Sequence, residues 1–318
     1  MRNTSLLTNY VKSIMFTFLL LLIIDLSKAQ SLTFENTDDG AWIKEAGEKV
    51  LFYQAKTKSV NGTYPRADYI HPLYGIDGFE LTEDFPEDHL HHRGIFWAWH
   101  QVSIGNQHIG DAWECKDFIW DVKDVDLVES KVDAITFQSD VLWKSPQWTD
   151  NEGNLIPFLE ETSKIKVYAK IYNYRIIDVE ISLLAMETDL KIGGSDDEKG
   201  YGGFSVRVKM PDDITFTSTE GEVQPEVIQI SAGPWMNVSG SLAKDGGKAG
   251  IIMMCHPDNP MFPETWILRK SGSMQNPVYP GREPVPVSKD TPTVLRYRLL
   301  VYQGDLDKER IQTLFDAQ

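Results

Sequence analysis

The sequence predicts an all-β protein: a large antiparallel β-sandwich finished by a short C-terminal helix. Three observations carry this expectation. Apolar residues recur at every second position through most of the chain after residue 40. Clusters of Gly, Pro, Asn and Asp separate these runs at short intervals, as the tight connections of antiparallel strands require. Only one segment, at the C-terminus, repeats its apolar residues with a helical period. Hydrophobic residues at 42% and charged residues at 25% are ordinary for a globular chain, which excludes a disordered or disulfide-built protein.

Taken in order, the chain opens with what reads as a signal peptide over residues 1–29. Arg2 and Lys12 precede an apolar run from Ile14 to Ile24, and Ser27-Lys28-Ala29 offers small residues at the positions a signal peptidase reads. Eleven apolar residues fall short of roughly 20 for a spanning helix, so cleavage before Gln30 and release into the periplasm are expected. Candidate strands follow at Lys49 to Lys56, Ile135 to Trp143, Lys164 to Leu184, Phe204 to Val208, Gly250 to Met254 and Val294 to Tyr302. Turns are expected at Asn61-Gly62, Asp77-Gly78, Asn151-Glu152-Gly153, Asp245-Gly246-Gly247 and Pro280-Gly281. Asp305 is the expected cap of the terminal helix, with Leu306, Ile311, Leu314 and Phe315 as its apolar stripe. No repeat or composition break divides the rest, so residues 30–318 read as one β-sandwich domain. Cys115 and Cys255 are compatible with a disulfide or with two buried thiols.

Charge limits the partners. The formal net charge is −16, and loss of the leader makes it −18, leaving no positive field to displace counterions from nucleic acid. No apolar run after the leader is long enough for the lipid core, so no membrane partner is expected once the leader is removed.

Candidate chemistry is concentrated in one segment. Six of the seven histidines fall between His71 and His108, around Asp88-His89-Leu90-His91-His92-Arg93-Gly94. If this stretch is extended, His89, His91 and Arg93 share one face and Asp88 and His92 the other. Three readings compete. Imidazole is suited to acid and base work near neutrality, with an arginine to hold a carboxylate. His89 and His91 are spaced to approach a divalent metal, although no Glu stands at the spacing expected of a cupin and the next candidate is Glu114. The cluster can also simply tie loops together.

Other features point to the class of ligand. Trp97, Trp99, Trp113, Trp120, Trp143 and Trp148 crowd the same region; indole faces stack on sugar rings, but alternate tryptophans on a strand also build cores. Glu160-Glu161 reads as a solvated doublet. In Tyr201-Gly202-Gly203-Phe204-Ser205-Val206-Arg207 the two glycines permit close backbone approach to a ligand, and Arg207 is a candidate anion clamp. His256, in a loop leaving a strand, and the Tyr279 to Pro284 loop with Arg282 are further candidates.

The strings His71-Pro72-Leu73-Tyr74, Asp84-Phe85-Pro86, Asp88-His89-Leu90-His91-His92-Arg93-Gly94 and Trp99-His100 resemble the PmoA-like family, named after a methane oxygenase subunit. The resemblance runs from about residue 40 to the C-terminus and includes Tyr174-Arg175-Ile176-Ile177-Asp178 and Gly202-Gly203-Phe204. Leu90 stands where the pattern usually has proline. A membrane oxygenase subunit needs spanning helices, which this chain is not expected to have. The resemblance instead implies a secreted protein of polysaccharide-degrading bacteria, with a β-sandwich like that of galactose mutarotases. The chain is also similar to ulvan oligosaccharide dehydratases, which implies loss of water from the non-reducing-end uronic acid of an acidic oligosaccharide. Under that implication His89, His91, His92 and Tyr201 move protons. His71, Arg93, Trp99, His100, Arg207, His256 and Arg282 hold substrate, and a divalent cation on His89 and His91 is an alternative way to neutralise its carboxylate. A mutarotase or epimerase, and a noncatalytic glycan-binding protein, are the rival classes.

Overall fold

The computed structural model describes residues 32–318, so the leader and its cleavage site lie outside the described residues. Two antiparallel sheets form the body. The first has six strands in the order Leu32–Thr37, Gly40–Glu45, Glu48–Gln54, Tyr69–Leu73, Ile95–Ala98, Gly203–Val206. The second has nine and is built around Ala134–Lys144, Leu159–Tyr168, Tyr174–Ala185, Thr293–Gln303 and Ala249–Cys255. A smaller four-stranded sheet contains Leu190–Gly193, Gln101–Ile104 and Gln107–Gly110. Among the described residues no helix is long and apolar enough to cross a membrane.

The period-two reading locates the strands within a few residues, with one correction. Lys164 to Leu184 is two strands, Leu159–Tyr168 and Tyr174–Ala185, because the chain turns through Tyr172 at positive φ between them. Along Leu159–Tyr168 burial alternates strictly, sending Leu159, Ile165 and Val167 into the space between the sheets. There they meet the other sheet: the rings of Tyr53 and Phe137 lie 5.7 Å apart, and those of Phe204 and Tyr297 stack at 4.4 Å. One continuous apolar cluster spans both sheets. Trp97, Trp99 and Trp143 are wholly buried in it, so these indoles are core rather than sugar subsites.

The same alternation overturns the expectation for Glu161. It points inward with Leu159 and is fully buried, while Glu160 is exposed. Its carboxylate accepts from the indole nitrogens of Trp97 (2.6 Å) and Trp143 (2.8 Å) and from the Ser163 hydroxyl (2.6 Å). Three donors replace the water it lost. Buried Asp68, which accepts at 2.5 Å from the Tyr53 hydroxyl, is its charged neighbour. Burial and then repulsion from Glu161 raise the Asp68 pKa well above the carboxylate range.

The terminal helix spans Lys308–Asp316 and buries Ile311, Leu314 and Phe315 on the outer face of the nine-stranded sheet, against Tyr174, Trp235, Ile252 and Leu300. Its cap is Asp307, not Asp305. The Asp307 carboxylate accepts from the Arg310 amide at 2.7 Å, whereas Asp305 pairs with Lys248. Both cysteines are buried free thiols.

Candidate functional site

The histidine-rich segment is not a strand. Pro86 begins two successive turns, closed by His89 N–H to Pro86 O (3.0 Å) and His92 N–H to His89 O (2.9 Å), so alternation does not apply to it. His89, His91 and Arg93 therefore do not share a face. Two arginines brace the loop from inside. Arg93 is fully buried, faces Asp84 at 3.5 Å, lies 3.2 Å over the Phe85 ring and donates to the carbonyls of Lys58, Tyr64 and Leu90. Buried Arg207 donates to Glu83 (2.8 Å) and Asp88 (2.7 Å), and its Nη1 stands 3.4 Å from His92 Nδ1. Both were expected to hold substrate; both are committed to the fold. Gly94 follows because a side chain there would put Cβ 2.3 Å from the Ile70 carbonyl.

Braced this way, the loop presents its imidazoles to a cleft of about 250 Å³, lined by His89, His91, His92, Trp113, Glu114, Lys199, Tyr201, Ile267, Arg269, Ser273 and Met274. The rings of His89 and His92 stack at 4.7 Å, and His91 meets His92 edge to face at 4.5 Å. His91 Nδ1 is 3.4 Å from a Glu114 carboxylate oxygen, and Glu114 is set by its amide donating to Asp111 at 2.9 Å. Tyr201 comes from a loop folded around Asp197, whose Oδ1 accepts from the amides of Lys199 (3.0 Å) and Gly200 (3.3 Å). Its ring packs against Trp113 at 5.0 Å. Arg269 stands in a tight connection fixed by the Gln275 amide group, which both accepts from its N–H and donates to its carbonyl at 2.9 Å.

The cleft controls protonation. Burial, then the repulsion of Arg66 and the other imidazoles, lowers the His91 pKa to about 3, and the same causes lower that of His92. Both rings are neutral at physiological pH. Burial, with Asp197 and Glu114 nearby, raises the Tyr201 phenol, which stays protonated. Burial and Asp111 raise Glu114.

Of the expected site residues, His89, His91, His92 and Tyr201 are brought together, and seven expected substrate-holding residues are placed elsewhere. Arg93 and Arg207 are the braces just described. Trp99 is core, its indole donating to the Tyr279 carbonyl at 2.9 Å. His100 lies behind the cleft wall, stacked on Trp113 and 2.9 Å from Asp111. His71 is spent on Thr82 at 3.0 Å, and burial lowers its pKa. His256 belongs to a separate groove with Lys164, Lys166 and Arg296, and Arg282 is exposed and paired with Asp196 at 3.0 Å. Gly203 approaches backbone rather than a ligand: at φ +87° its Cβ position lies 3.1 Å from the Tyr279 carbonyl. The metal reading does not fit the donor set. Among the described residues no three His, Cys, Asp or Glu side chains converge on one point, and His89 Nδ1 is turned toward Asp88 at 3.0 Å.

Sequence reasoning missed Lys199 and Arg269 and weighed Glu114 only as a metal ligand. No spacing signal joins them to the histidines, since their loops meet only in the folded protein.

Fold and cleft together define a class: an antiparallel β-sandwich carrying an imidazole, carboxylate and phenol cleft on loops at its edge. The chain belongs to DUF6807, a family of unknown function, whose profile matches residues 42–316. No curated protein matches it. Among solved structures it is similar to a mutant of the heparan sulfate lyase HepC from Pedobacter heparinus, at 10% identity and a TM-score of 0.37, covering 89% of this chain and 36% of that one. It is similar to the putative mutarotase YeaD from Salmonella typhimurium at 10% identity and a TM-score of 0.37, covering 86% of this chain and 94% of that one. A heparinase III matches at 10% identity and a TM-score of 0.32, covering 86% of this chain and 34% of that one. The chain thus spans about a third of the length of either heparin-class enzyme.

Proposed function

We propose that the protein is a carbohydrate-active dehydratase. It removes water from the non-reducing-end uronic acid of acidic oligosaccharides such as ulvan fragments and leaves a 4,5-unsaturated uronyl end. The observation that carries this reading is one cleft holding a neutral imidazole, His91, beside a carboxylate, Glu114, and a protonated phenol, Tyr201. The likeness of the His89 to Gly94 string to the PmoA-like pattern supports it, as does the leader expected over residues 1–29, which directs the protein to the periplasm.

The elimination divides naturally between these groups. His91 takes the C5 proton, which lies α to the carboxylate and becomes removable once the charge of that carboxylate is offset in the cleft. The electron pair of the C5–H bond becomes the C4–C5 double bond as the C4–O bond breaks. Tyr201 gives its proton to the departing oxygen, which leaves as water. Glu114 steadies the imidazolium formed on His91, and that proton then returns to the Tyr201 phenolate through solvent. His92, held by Arg207 from behind, fixes the angle of His91.

Incubation with oligosaccharides ending in a saturated uronic acid tests this. Absorbance from a conjugated double bond should appear, with product lighter by one water. Intact substrate after prolonged incubation with folded protein would refute it; unchanged mass with exchanged stereochemistry would make the enzyme an epimerase.

A further inference from the structure

We propose that Arg269, with Lys199 beside it, is the carboxylate-binding subsite of this cleft, and that its ligand class is the monocarboxylated sugar. The inference rests on the reading of the cleft as a site for acidic sugars and assigns the group that such a reading lacks, now that Arg93 and Arg207 are committed elsewhere.

Arginine in this chain is usually neutralised. Among the described residues Arg93, Arg175, Arg207, Arg282, Arg296 and Arg298 all face carboxylates. Arg269 does not. Its Nη1 donates to the carbonyls of Glu226 and Leu268, both at 2.8 Å, and its Nη2 to that of Val227 at 2.9 Å. Carbonyls hold a guanidinium in place without cancelling its charge. Of five N–H donors three are used, leaving Nε and one hydrogen of Nη2 for a further acceptor. Burial lowers the Arg269 pKa, as befits a cation that has lost water and gained no counter-charge.

Lys199 adds a second positive charge to the same cleft. Its Nζ is 4.0 Å from the nearest Asp197 oxygen, too far for a hydrogen bond, while its backbone is fixed by Asp197 and by Gln229. Tyr201 lies within electrostatic reach of both Arg269 and Glu114. A uronate drawn to Arg269 and repelled by Glu114 is favoured with its carboxylate toward the cation.

The test is calorimetric titration of the intact protein with glucuronate, and with glucose as the neutral probe. Glucuronate should bind in preference to glucose. Arg269→Gln should weaken glucuronate binding about tenfold or more, the usual loss for a charge-assisted pair. Arg269→Lys should recover part of it, since charge returns without the fork. Because Arg269→Gln also frees three carbonyls, Lys199→Gln is the second variant; its Nζ makes no hydrogen bond within the fold, and it should weaken glucuronate binding about threefold, as an exposed charge does. Unchanged glucuronate affinity in both variants, or no glucuronate binding to the wild type, overturns the subsite. Its failure is separable from that of the reaction. Arg269-dependent binding without unsaturated product keeps the subsite and removes the dehydratase; product formation with kcat and KM untouched by Arg269→Gln does the reverse.

Discussion

Two groups of ionisable side chains in this protein are both forced away from their ordinary pKa values, and only one of them faces a cleft. Asp68, Glu161 and Tyr53 sit sealed between the sheets, ringed by Trp97, Trp143 and Ser163. His91, His92, Glu114 and Tyr201 line an open cleft of about 250 Å³. Desolvation is the leading cause of the shift in each group. A perturbed pKa therefore does not distinguish chemistry from architecture here; access does. The core acids spend their hydrogen bonds on Tyr53, Trp97, Trp143 and Ser163 and so join the two sheets, whereas His91 makes one long contact, 3.4 Å, to Glu114.

That contrast breaks most readily at Glu161. Glu161→Ala leaves two indoles and a hydroxyl without their acceptor and should cost about 3–5 kcal/mol of stability, read from denaturant midpoints. Glu161→Gln should cost clearly less, and equal losses would mean the carboxylate is not what joins the sheets. In the cleft, His91→Ala should lower turnover about a hundredfold or more with little change in melting temperature. A folded His91→Ala protein with wild-type turnover would remove His91 from the chemistry. Arg93 is the sharpest control, because sequence placed it beside His91 and the fold places it beneath. Arg93→Lys should lose roughly 1–3 kcal/mol of stability through unmet carbonyls and Asp84, while activity per folded molecule holds. Activity falling with stability unchanged would return Arg93 to the substrate.

The two groups also act in opposite directions on the pH dependence of stability. The folded pKa of His91 is lowered from 6.5 to about 3, so the unfolded chain binds the extra proton between those values. Its contribution is whole above about pH 6.5 and is lost as pH falls toward 3. Asp68 is raised in the fold, so its contribution is present in acid and is lost as pH rises through its folded pKa. His91→Gln should flatten the acid limb of a stability profile and Asp68→Asn the alkaline limb. Either variant flattening the wrong limb would contradict the assignment.

Where side-chain direction follows from a period, sequence was enough. Ala134–Lys144, Leu159–Tyr168 and Thr293–Gln303 are visible as alternation because each packs one face on the core. The histidine cluster was legible as a place but not as a shape: two turns after Pro86 replace the strand that would have aligned His89, His91 and Arg93. Glu161 was misjudged because its burial depends on Trp97 and on Trp143, which reach it from other strands. Arg269 and Lys199 left no trace for a like reason. A cation's worth depends on whether a carboxylate stands beside it, and that is settled by contacts between segments far apart in sequence.

Cys115 and Cys255, free and buried in different parts of the molecule, carry one more consequence. Cys115 follows Glu114, which lines the cleft, and Cys255 ends a central strand of the nine-stranded sheet. With no disulfide to shield them, each sulfur reacts with an added alkylating agent only when its surroundings open. The molecule thus contains two native clocks: one times the loosening of the cleft wall, the other the parting of the central sheet.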